Sequence, residues 1–369
     1  MRVMFVDDDE TLLSGLRNLF RRHRRRWEMH FAIRGADALE LFAEKPFDIV
    51  LSDMRMPGMN GAELLTHIQE LDPSTVRMIL SGYSDVGSVA NAIPRAHLLL
   101  SKPSPPDMLI GTLERAAALS TLVCSERVAE ALSRLGPIPR PDEALNALRI
   151  RPFGAKVPLE WIEESLPASA PWARGVLEQL DSEDSLGAPM AFGLLASIGL
   201  LAARGGTPEG IAALSGAVLT ARVADGIAGG GVDGDHAGLA GMLYRIPELL
   251  GAPIEGEGNV EVWAPGVDAG LLAARVLLQW SLPLPVIEAV AHYRDPLSAP
   301  IDDRRVGGIL HLADALVREA MAENRGGERG EARPALQKEL PGKLGIAGDL
   351  DEFRRITRGI CGAMCQHAA

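Results

Sequence analysis

The sequence is poor in cysteine and in aromatic residues. Its three cysteines, Cys124, Cys361 and Cys365, are too few and too scattered for a disulfide framework, which favours a reducing compartment. Aromatic residues make up 4% of the chain, so a core would consist mainly of Leu, Ala and Val. Basic residues are fewer than acidic ones, and the formal net charge of -12 disfavours a protein whose main function is to bind nucleic acid.

Long apolar runs and a secretory leader are missing as well. The longest apolar stretch, Ala188–Ala203, is shorter than the roughly 20 residues that span a bilayer, and it contains a proline and two glycines. Met1 leads directly into a short apolar segment and then into acidic residues, which is unlike a signal peptide. We therefore expect a cytoplasmic protein without a membrane partner. A chain of 369 residues is expected to contain two or three domains.

The stretch that organises the first third of the chain is FDIVLSDMRMPGMNG, from Phe47 to Gly61. Its apolar run Ile49–Leu51 predicts a buried strand, and the proline and glycines that follow predict a turn. Asp53 therefore stands where a strand meets its loop, which is where open α/β sheets bind ligands. A lone aspartate in a turn more often caps the next helix, so its neighbours must decide between these interpretations.

Acidic residues also follow the first predicted strand. The apolar run Val3–Val6 leads into the sequence DDDE, which begins with Asp7 and Asp8. Four acids in a row are usually a solvated loop. At the carboxyl end of a buried strand they would instead lie near Asp53, and clustered carboxylate oxygens are the ligands that Mg²⁺ requires.

Strand and helix patterns alternate over residues 1 to about 120. Strands are predicted at Val3–Val6, Met29–Ile33, Ile49–Ser52, Val76–Ser81 and His97–Ser101. Helices are predicted at Thr11–Arg25, Ala36–Glu44, Ala62–Leu71, Val86–Ile93 and Pro106–Leu119. This alternation predicts an α/β doubly wound, five-stranded parallel sheet.

Two further polar residues stand at the ends of predicted strands. Ser81 closes the fourth strand, and Lys102 follows the fifth. A carboxylate such as Asp53 can attack a phosphoryl donor as a nucleophile, and a metal held by neighbouring acids would offset the charge of the phosphoryl oxygens. A hydroxyl and an ammonium group would then bind oxygens of the product.

The motifs VDDDE, LSDMRMPGMNG, LSGYSD and LSKP resemble, in order and spacing, the receiver domain of two-component response regulators. The resemblance covers residues 1 to about 120 and implies that Asp53 is the phosphoacceptor. It implies that Ser81 is the switch hydroxyl and that Lys102 pairs with the phosphoryl group. The implied Mg²⁺ ligands are Asp7, Asp8, Asp53 and the backbone carbonyl of Arg55.

One position departs from the pattern of this family. The family often has an aromatic residue three positions before its lysine, and Leu99 stands there in this sequence. The resemblance implies that such an aromatic side chain swings inward when the switch hydroxyl moves. Signalling through the segment between Asp85 and Ser101 is therefore expected to be muted or differently built.

A basic run, RRHRRR, extends from Arg21 to Arg26 at the end of the first long helical pattern. Such a run invites a nucleic-acid hypothesis, but basic residues at a helix C-terminus also complement the macrodipole. Almost no aromatic residues interleave the run, and the chain around it is acidic. We therefore favour a solvated helix end and rank nucleic acid last among the partners.

The second half of the chain predicts a domain of helices. The proline-dense Leu135–Pro141 marks a boundary after an amphipathic connector helix at Thr121–Leu135. Strand-like alternation then ends, and an all-helical domain follows. Its helices are predicted at Leu159–Leu166, Trp172–Leu180, Met190–Ala203, Pro208–Ala224, His236–Leu250, Asp268–Trp280, Pro285–His292 and Arg304–Met321. The expected domains are a receiver (1–120), a connector helix with a proline-rich boundary (121–140), a helical output domain (141–322), and a flexible charged segment with a short C-terminal helix (323–369).

Several residues of this half carry suitable atoms for a metal site. His236, His292, His311 and Asp314 are candidates, and the last two are three residues apart on one helical face. The remaining ligands are not evident, and isolated His and Asp in helices are more often surface or satisfied core groups. The glycine-rich Gly226–Asp235 follows a helix rather than a strand, so we interpret it as a flexible connector and not as a dinucleotide fingerprint.

Segments of the second half resemble the HDOD domain, a non-catalytic relative of the HD phosphohydrolases. The resemblance spans residues 130 to about 322 and rests on LGPIPRP, VPLEWIEESLPASAPWARGVLEQLDS, MAFGLLASIGLLA, AGLAGMLYRIPELLG, AGLLAARVLLQWSLPLPVIEAVAHYRDP and GILHLADALVREA. It implies that Tyr244 and Arg245 replace the His-Asp pair of the HD enzymes, and that Leu214 replaces an earlier metal ligand. A cation and an apolar side chain at these positions oppose metal binding, so no catalytic residue is expected in the output domain.

The sequence therefore predicts a response regulator that is not an enzyme. It would accept a phosphoryl group on Asp53 from a sensor histidine kinase or phosphotransfer protein, and its output domain would bind an unidentified downstream protein. A homodimer is left open. The alternative is a receiver-gated, HD-GYP-like metal-dependent phosphodiesterase that uses His236, His292 and Asp314 and retains about two transition-metal ions.

Overall fold

The structure is a computed structural model of the chain. It describes residues 1–82, 92–151, 154–180, 185–252, 267–297, 299, 304–324, 336 and 339–367, and side chains up to residue 362. Two compact units are present, one formed by Met1–Glu126 with Arg275–Leu284 and the other by Arg127–Ala274 with Pro285–Ala369. The helix predicted at Val86–Ile93 lies almost entirely outside the described residues.

A five-stranded parallel sheet with the strand order β2-β1-β3-β4-β5 forms the centre of the first unit. The strands are β1 (Arg2–Val6), β2 (Glu28–Ala32), β3 (Ile49–Asp53), β4 (Val76–Ser81) and β5 (Leu98–Ser101). The inner strands β1, β3 and β4 are buried along almost their whole length, which explains why they consist of nearly continuous apolar runs. The predicted doubly wound sheet is confirmed.

Helices connect these strands, and side-chain caps fix where two of them begin. They are α1 (Glu10–Leu19), which continues into a 3₁₀ turn (Phe20–His23), α2 (Gly35–Glu44), α3 (Gly61–Leu71) and α4 (Pro106–Val123). Asp9 accepts two backbone N–H groups at the start of α1, and Asn60 forms a capping box with Glu63 at the start of α3. The loops that follow β1 and β3 are therefore held at both ends.

One charged side chain, Arg77, is fully buried in β4. Its guanidinium donates to the carbonyls of Thr75 at 2.8 Å and Arg95 at 2.9 Å, and also to the hydroxyl oxygen of Ser281. Ser281 belongs to the same unit and has a φ of 57°, in the left-handed region that residues other than glycine rarely adopt. Because each donor of a buried guanidinium needs an acceptor, these oxygens allow the charge to remain in the core.

The rest of the chain is mostly helical. Its helices are α5 (Glu126–Arg134), α6 (Glu143–Arg149), α7 (Leu159–Glu164), α8 (Ala173–Leu177), α9 (Ala188–Ala203), α10 (Pro208–Ala228), α11 (Gly231–Leu243), α12 (Ile246–Leu249), α13 (Ala269–Gln279), α14 (Leu284–His292), α15 (Arg305–Asn324), α16 (Leu340–Lys343) and α17 (Leu350–His367). Two short strands, β6 (Lys156–Pro158) and β7 (Ser185–Gly187), pair antiparallel. The sequence pattern does not predict these strands, because three residues are too few to show a period of two.

The helices α9, α10 and α11 form the buried centre of the second unit. α9 buries apolar side chains on nearly all sides, as a helix without a polar face should. α10 packs closely on α11, and a Cβ added at Gly241 would lie 2.7 Å from the Cα of Ala221. Glycine is therefore required where these two helices touch.

The predicted connector helix at Thr121–Leu135 is two helices and not one. α4 ends at Val123, Cys124 serves as its C-cap, and α5 begins at Glu126. The prediction of one continuous amphipathic helix at Thr121–Leu135 is therefore wrong. The helical periodicity of the sequence continues across residues 124–125, where the helix is interrupted, and so it does not reveal the break.

The glycine-rich Gly226–Asp235 is also largely helical rather than a connector. α10 continues to Ala228 and α11 begins at Gly231. Gly229, Gly230 and Gly231 have φ values of 71°, 84° and 75°, so these three glycines turn the chain between the two helices.

In the described part of the chain, α10 has the length and composition of a membrane span, with a mean hydropathy of 1.4 over an 18-residue window. The same window is 56% buried inside the protein, as expected for a core helix. At the C-terminal end, α17 covers the predicted final helix and is 18 residues long. The charged segment at 325–335 lies outside the described residues.

Candidate functional site

Polar side chains from four neighbouring strands meet at the carboxyl edge of the sheet. Asp7 follows β1, Asp53 ends β3, Ser81 ends β4 and Lys102 follows β5. β1 pairs with β3, β3 with β4 and β4 with β5, all in parallel, so their carboxyl ends lie side by side. The structure therefore places in one crevice the residues for which the sequence predicts a common site.

Lys102 joins two of the carboxylates. Its Nζ lies 2.7 Å from Asp7 Oδ2 and also donates to Asp53 Oδ1. Asp7 is 2% exposed and Asp53 is 7% exposed, so little water surrounds these ion pairs. The ammonium group offsets the repulsion between the two buried carboxylates.

Backbone N–H groups orient both carboxylates. Asp53 Oδ2 accepts the N–H of Arg55 at 2.7 Å, and Asp7 Oδ1 accepts the N–H of Asp9 at 2.9 Å. Each carboxylate thus has one oxygen on a backbone donor and the other on Lys102. Asp8 is exposed, in contrast to Asp7 and Asp53.

Burial and the neighbouring charges shift the pKa values of Asp53 and Lys102 in opposite directions. Burial raises the pKa of the Asp53 carboxyl above its ordinary value, and the hydrogen bond and charge of Lys102 only partly counteract this. Burial alone would lower the pKa of Lys102, but the hydrogen bonds and charges of Asp53 and Asp7 raise it. The lysine therefore remains an ammonium group at every physiological pH.

The donor set suits a hard divalent cation. Asp7, Asp8 and Asp53 supply carboxylate oxygens, and Arg55 has a backbone carbonyl in the same loop. Mg²⁺ prefers oxygen ligands of these kinds and keeps several of its waters. Lys102 offsets only one of the three negative charges, so the crevice retains the excess negative charge that a divalent cation would neutralise.

Gly61 is a site residue that the sequence interpretation treats only as a turn former. The turn itself uses Gly58, which has a φ of 82°. A Cβ on Gly61 would lie 2.1 Å from the backbone carbonyl oxygen of Asp53, and the Gly61 N–H donates to the carbonyl of Met54 at 2.9 Å. α3 therefore begins directly against the backbone of Asp53, and any side chain at this position would displace that residue.

Ser81 and Leu99 occupy the positions predicted for the switch. Ser81 is 8% exposed, and its Oγ donates to the carbonyl of Gly82 at 3.3 Å. Leu99 is half-buried and packs against the apolar cluster that contains Met54. An aliphatic side chain held in this way contributes packing, and it offers no ring edge or hydroxyl for a polar contact. Residues 83–91, which include the second half of the LSGYSD motif, lie outside the described residues.

A second buried polar cluster lies in the helical unit around Asp314 of α15. Its Oδ1 accepts the Tyr244 hydroxyl at 2.8 Å and the Nε–H of Arg318 at 3.1 Å. Arg245 donates from Nε to Tyr244 Oη at 2.7 Å, and its Nη2 lies 3.8 Å from Asp314 Oδ1. Asp314 is 3% exposed, so two guanidinium groups stabilise the charge of a buried carboxylate. The structure thus joins Tyr244, Arg245 and Asp314, and it adds Arg318, which the sequence interpretation missed.

The protonation states in this cluster follow from the same contacts. Burial and the charge of Asp314 raise the pKa of the Tyr244 phenol, which stays neutral and donates. Burial alone would lower the pKa of Arg245, but Tyr244, Glu248 and Asp314 raise it. Both arginines therefore stay charged. An i, i+4 spacing between Asp314 and Arg318 on one helix is the sequence signal that would have indicated their pairing.

The histidines predicted as alternative metal ligands have other surroundings. A ring nitrogen of His311, Nδ1, lies 2.8 Å from the carbonyl of Tyr293, which fits donation by that nitrogen. Burial lowers the pKa of His236 and of His292. Leu214 is fully buried. In the part of the chain that the structure describes, no group of three or more His, Cys, Asp or Glu side chains is arranged to hold a metal ion.

The contacts of Asp314 predict that removing its carboxylate lowers the free energy of unfolding much more than removing the carboxylate of Glu319. Asp314→Ala leaves Arg245 and Arg318 without their buried partner, and we expect a loss of about 3–5 kcal/mol in the free energy of unfolding. Glu319→Ala on the same helix removes a partly exposed pair with Arg354 and should cost about 0–1 kcal/mol. Urea denaturation followed by circular dichroism measures both. Equal losses would contradict the assigned role of Asp314.

The raised pKa of Asp53 predicts a pH-dependent effect on stability. A carboxyl whose folded-state pKa is raised stabilises the fold when protonated, and this contribution is lost as the pH rises through that pKa. In metal-free protein, Asp53→Asn should therefore raise Tm at about pH 8, and the gain should shrink as the pH falls. Glu40→Gln, an exposed change in the same unit, serves as the control and should show no such trend. A gain that grows on acidification would refute the assigned direction.

Comparisons with known proteins agree with this geometry. The model of the response regulator receiver domain family matches residues 3–114. The transcriptional regulatory protein ZraR of Escherichia coli O157:H7 is 34% identical over 139 residues, which are 37% of this chain and 31% of ZraR. The hydrogenase transcriptional regulatory protein HoxA of Cupriavidus necator is 32% identical over 117 residues, which are 31% of this chain and 23% of HoxA. The chain thus spans less than a third of the length of these relatives.

A solved structure is similar to part of the chain. The signal receiver domain of an HD domain-containing protein from Pseudomonas fluorescens Pf-5 has 32% sequence identity and a TM-score of 0.31. The alignment covers 32% of this chain and 95% of that one. Together, the family match, the sheet order and the convergence of Asp7, Asp53 and Lys102 show that residues 3–114 are a response regulator receiver domain.

Proposed function

We propose that Asp53 accepts a phosphoryl group and that the helical unit responds by binding another protein, without hydrolytic activity of its own. The observation that carries this proposal is the convergence of Asp7, Asp53 and Lys102 in the receiver domain. A receiver domain implies a histidine kinase or phosphotransfer protein as the donor. With such a donor, the protein would act in the cytoplasm.

The transfer step follows from the orientation of Asp53. Its Oδ2 is held by the N–H of Arg55, and its Oδ1 faces Lys102. Oδ1 attacks the phosphorus of a donor phosphohistidine, the new O–P bond forms as the P–N bond breaks, and the leaving imidazole takes a proton from solvent. The product is an acyl phosphate on Asp53.

The neighbouring residues stabilise the charge of the phosphoryl group. Asp7, Asp8 and the carbonyl of Arg55 would hold Mg²⁺ beside Asp53, where the ion supplies positive charge to the phosphoryl oxygens. Lys102 keeps its contact with Asp7 and turns its remaining donors toward a phosphoryl oxygen. The Ser81 hydroxyl can rotate from the carbonyl of Gly82 to donate to another of these oxygens.

The cluster around Asp314 supports an output by binding rather than by hydrolysis. A metal-dependent hydrolase needs carboxylate oxygens that face an open coordination position. The Asp314 oxygens instead accept hydrogen bonds from Tyr244 and Arg318, and Arg245 places a second guanidinium nearby. A metal ion at Asp314 would meet two fixed positive charges. We therefore infer that this unit presents a surface to a downstream protein.

Phosphorylation by acetyl phosphate tests the first part of the proposal. Wild-type protein with Mg²⁺ should gain one acid-labile phosphoryl group, detected by intact mass, and Asp53→Asn should gain none. Asp37→Asn, which removes a carboxylate paired with Arg34 on the surface of α2, is the matched control and should be modified like wild type. Equal modification of Asp53→Asn would exclude Asp53 as the phosphoacceptor.

Metal analysis separates the proposed output from a phosphodiesterase. Protein purified without chelators should contain well below one equivalent of Zn, Mn, Fe or Co, because Arg245 and Arg318 occupy the surroundings of Asp314. The second measurement is hydrolysis of bis-(p-nitrophenyl) phosphate with added Mn²⁺. A stoichiometric metal content, or hydrolysis that Asp314→Asn abolishes, would establish the enzyme instead.

A further inference from the structure

Five arginines project from the segment that follows α1. Buried aromatic residues anchor this segment: Phe20 is fully buried, Trp27 is 4% exposed, and the ring of His23 stacks on Trp27 with 4.6 Å between centroids. His23 also lies 3.1 Å from Glu114 of α4. All positions from 21 to 26 except position 23 are exposed arginines. These residues, which we call the arginine patch, are Arg21, Arg22, Arg24, Arg25 and Arg26.

The patch has no acidic partner within the described structure. Three other exposed arginines each pair with a nearby carboxylate, namely Arg34 with Asp37 at 3.0 Å, Arg134 with Glu130 at 2.7 Å and Arg174 with Glu163 at 3.1 Å. No patch arginine makes an ion pair, a side-chain hydrogen bond or a ring contact with the residues that the structure describes. Of the 49 acidic residues in the chain, none that the structure describes pairs with a patch arginine. Five neighbouring cations therefore repel one another until an external anion offsets their charge.

We propose that the arginine patch binds an acidic, carboxylate-rich segment of a partner protein. Guanidinium groups bind carboxylates through two parallel hydrogen bonds, and arginine is the cation best suited to such pairs. A segment with a similar number of Asp and Glu residues would match the patch in charge. This surface is separate from the chemistry of Asp53 and does not depend on the proposed function.

The surroundings of the patch favour a short acidic peptide segment over two other polyanions. The burial of Phe20 and Trp27 leaves no exposed aromatic ring between residues 17 and 27 on which nucleic-acid bases could stack. The same burial removes the apolar side chains that would anchor a membrane-surface segment. A nucleic acid would also carry its phosphates beyond the patch onto a chain of net charge -12, whereas a short acidic segment ends within the patch.

Peptide binding by the full chain tests this proposal. The probe is a fluorescein-labelled hexaglutamate peptide followed by fluorescence anisotropy at low and high salt. The patch variant replaces Arg21, Arg22, Arg24, Arg25 and Arg26 with Gln. The control variant replaces five exposed arginines elsewhere with Gln, at Arg127, Arg134, Arg140, Arg151 and Arg174, and has the same net charge.

Wild type should bind the peptide with an affinity that falls as salt rises, because exposed charges are screened. The patch variant should bind at least about tenfold more weakly, since several exposed pairs are lost together, and the control variant should stay within about twofold of wild type. Equal weakening in both variants would show a response to net charge alone and would overturn the proposal. Absence of peptide binding by wild type would overturn it as well.

Two further measurements assign the anion and separate this proposal from the phosphorylation. If duplex DNA or phosphatidylserine vesicles bind the wild type more tightly than the peptide does, and the patch variant loses that binding, the acidic-protein assignment is overturned. Phosphorylation by acetyl phosphate should be the same in wild type and in the patch variant. A failure of peptide binding with normal phosphorylation therefore refutes the patch and leaves the role of Asp53 standing.

Discussion

The contact of Lys102 with Asp7 and Asp53 is the interaction on which the receiver site depends. Both carboxylates are almost completely buried, and an unpaired buried carboxylate costs several kcal/mol. One ammonium group therefore stabilises two strand ends at once, and it reaches them from a third strand. The parallel order of β1, β3, β4 and β5 makes this possible, because it brings the carboxyl ends of all four strands to the same edge. The charge pairing of Lys102 with Asp7 and Asp53 thus depends on the topology of the sheet.

Backbone geometry then sets the position of Asp53 more tightly than its side-chain partners do. The Arg55 N–H holds one carboxylate oxygen, and Gly61 lets α3 begin against the Asp53 carbonyl. The capping box of Asn60 fixes the start of α3, so the loop between Asp53 and Gly61 is held at both ends. Side chains such as Lys102 and Ser81 retain rotatable bonds, and this difference suits the proposed transfer, in which Asp53 would stay fixed while its neighbours turn toward a phosphoryl group.

The strands and the receiver residues could be predicted from sequence because each is a local pattern. A short apolar run followed by a polar residue predicts a strand end, and parallel pairing then places Asp7, Asp53 and Lys102 together. The role of Gly61 could not be predicted in this way, because it depends on the close approach of Gly61 to the carbonyl oxygen of Asp53. A local sequence pattern does not show that distance. Ser281 and Arg77 are 204 residues apart, and their hydrogen bond depends on tertiary packing alone. The prediction of a flexible connector at Gly226–Asp235 is wrong for a different reason. Most of the glycines in this segment lie in helices, where tertiary packing overrides their low helix propensity.

The two polar clusters differ in how their charges are balanced, and this difference bears on function. At the receiver site, Asp7 and Asp53 face one ammonium group and Asp8 lies beside them in the chain, so negative charge remains for a divalent cation. In the helical unit, Asp314 and Glu248 face Arg245 and Arg318, and the charges cancel without any ion. A guanidinium group is a cation that cannot exchange, activate water or open a coordination position. If Asp53 accepts a phosphoryl group as proposed, the charge of the first cluster changes, whereas the charges of the second cluster are already balanced within the core.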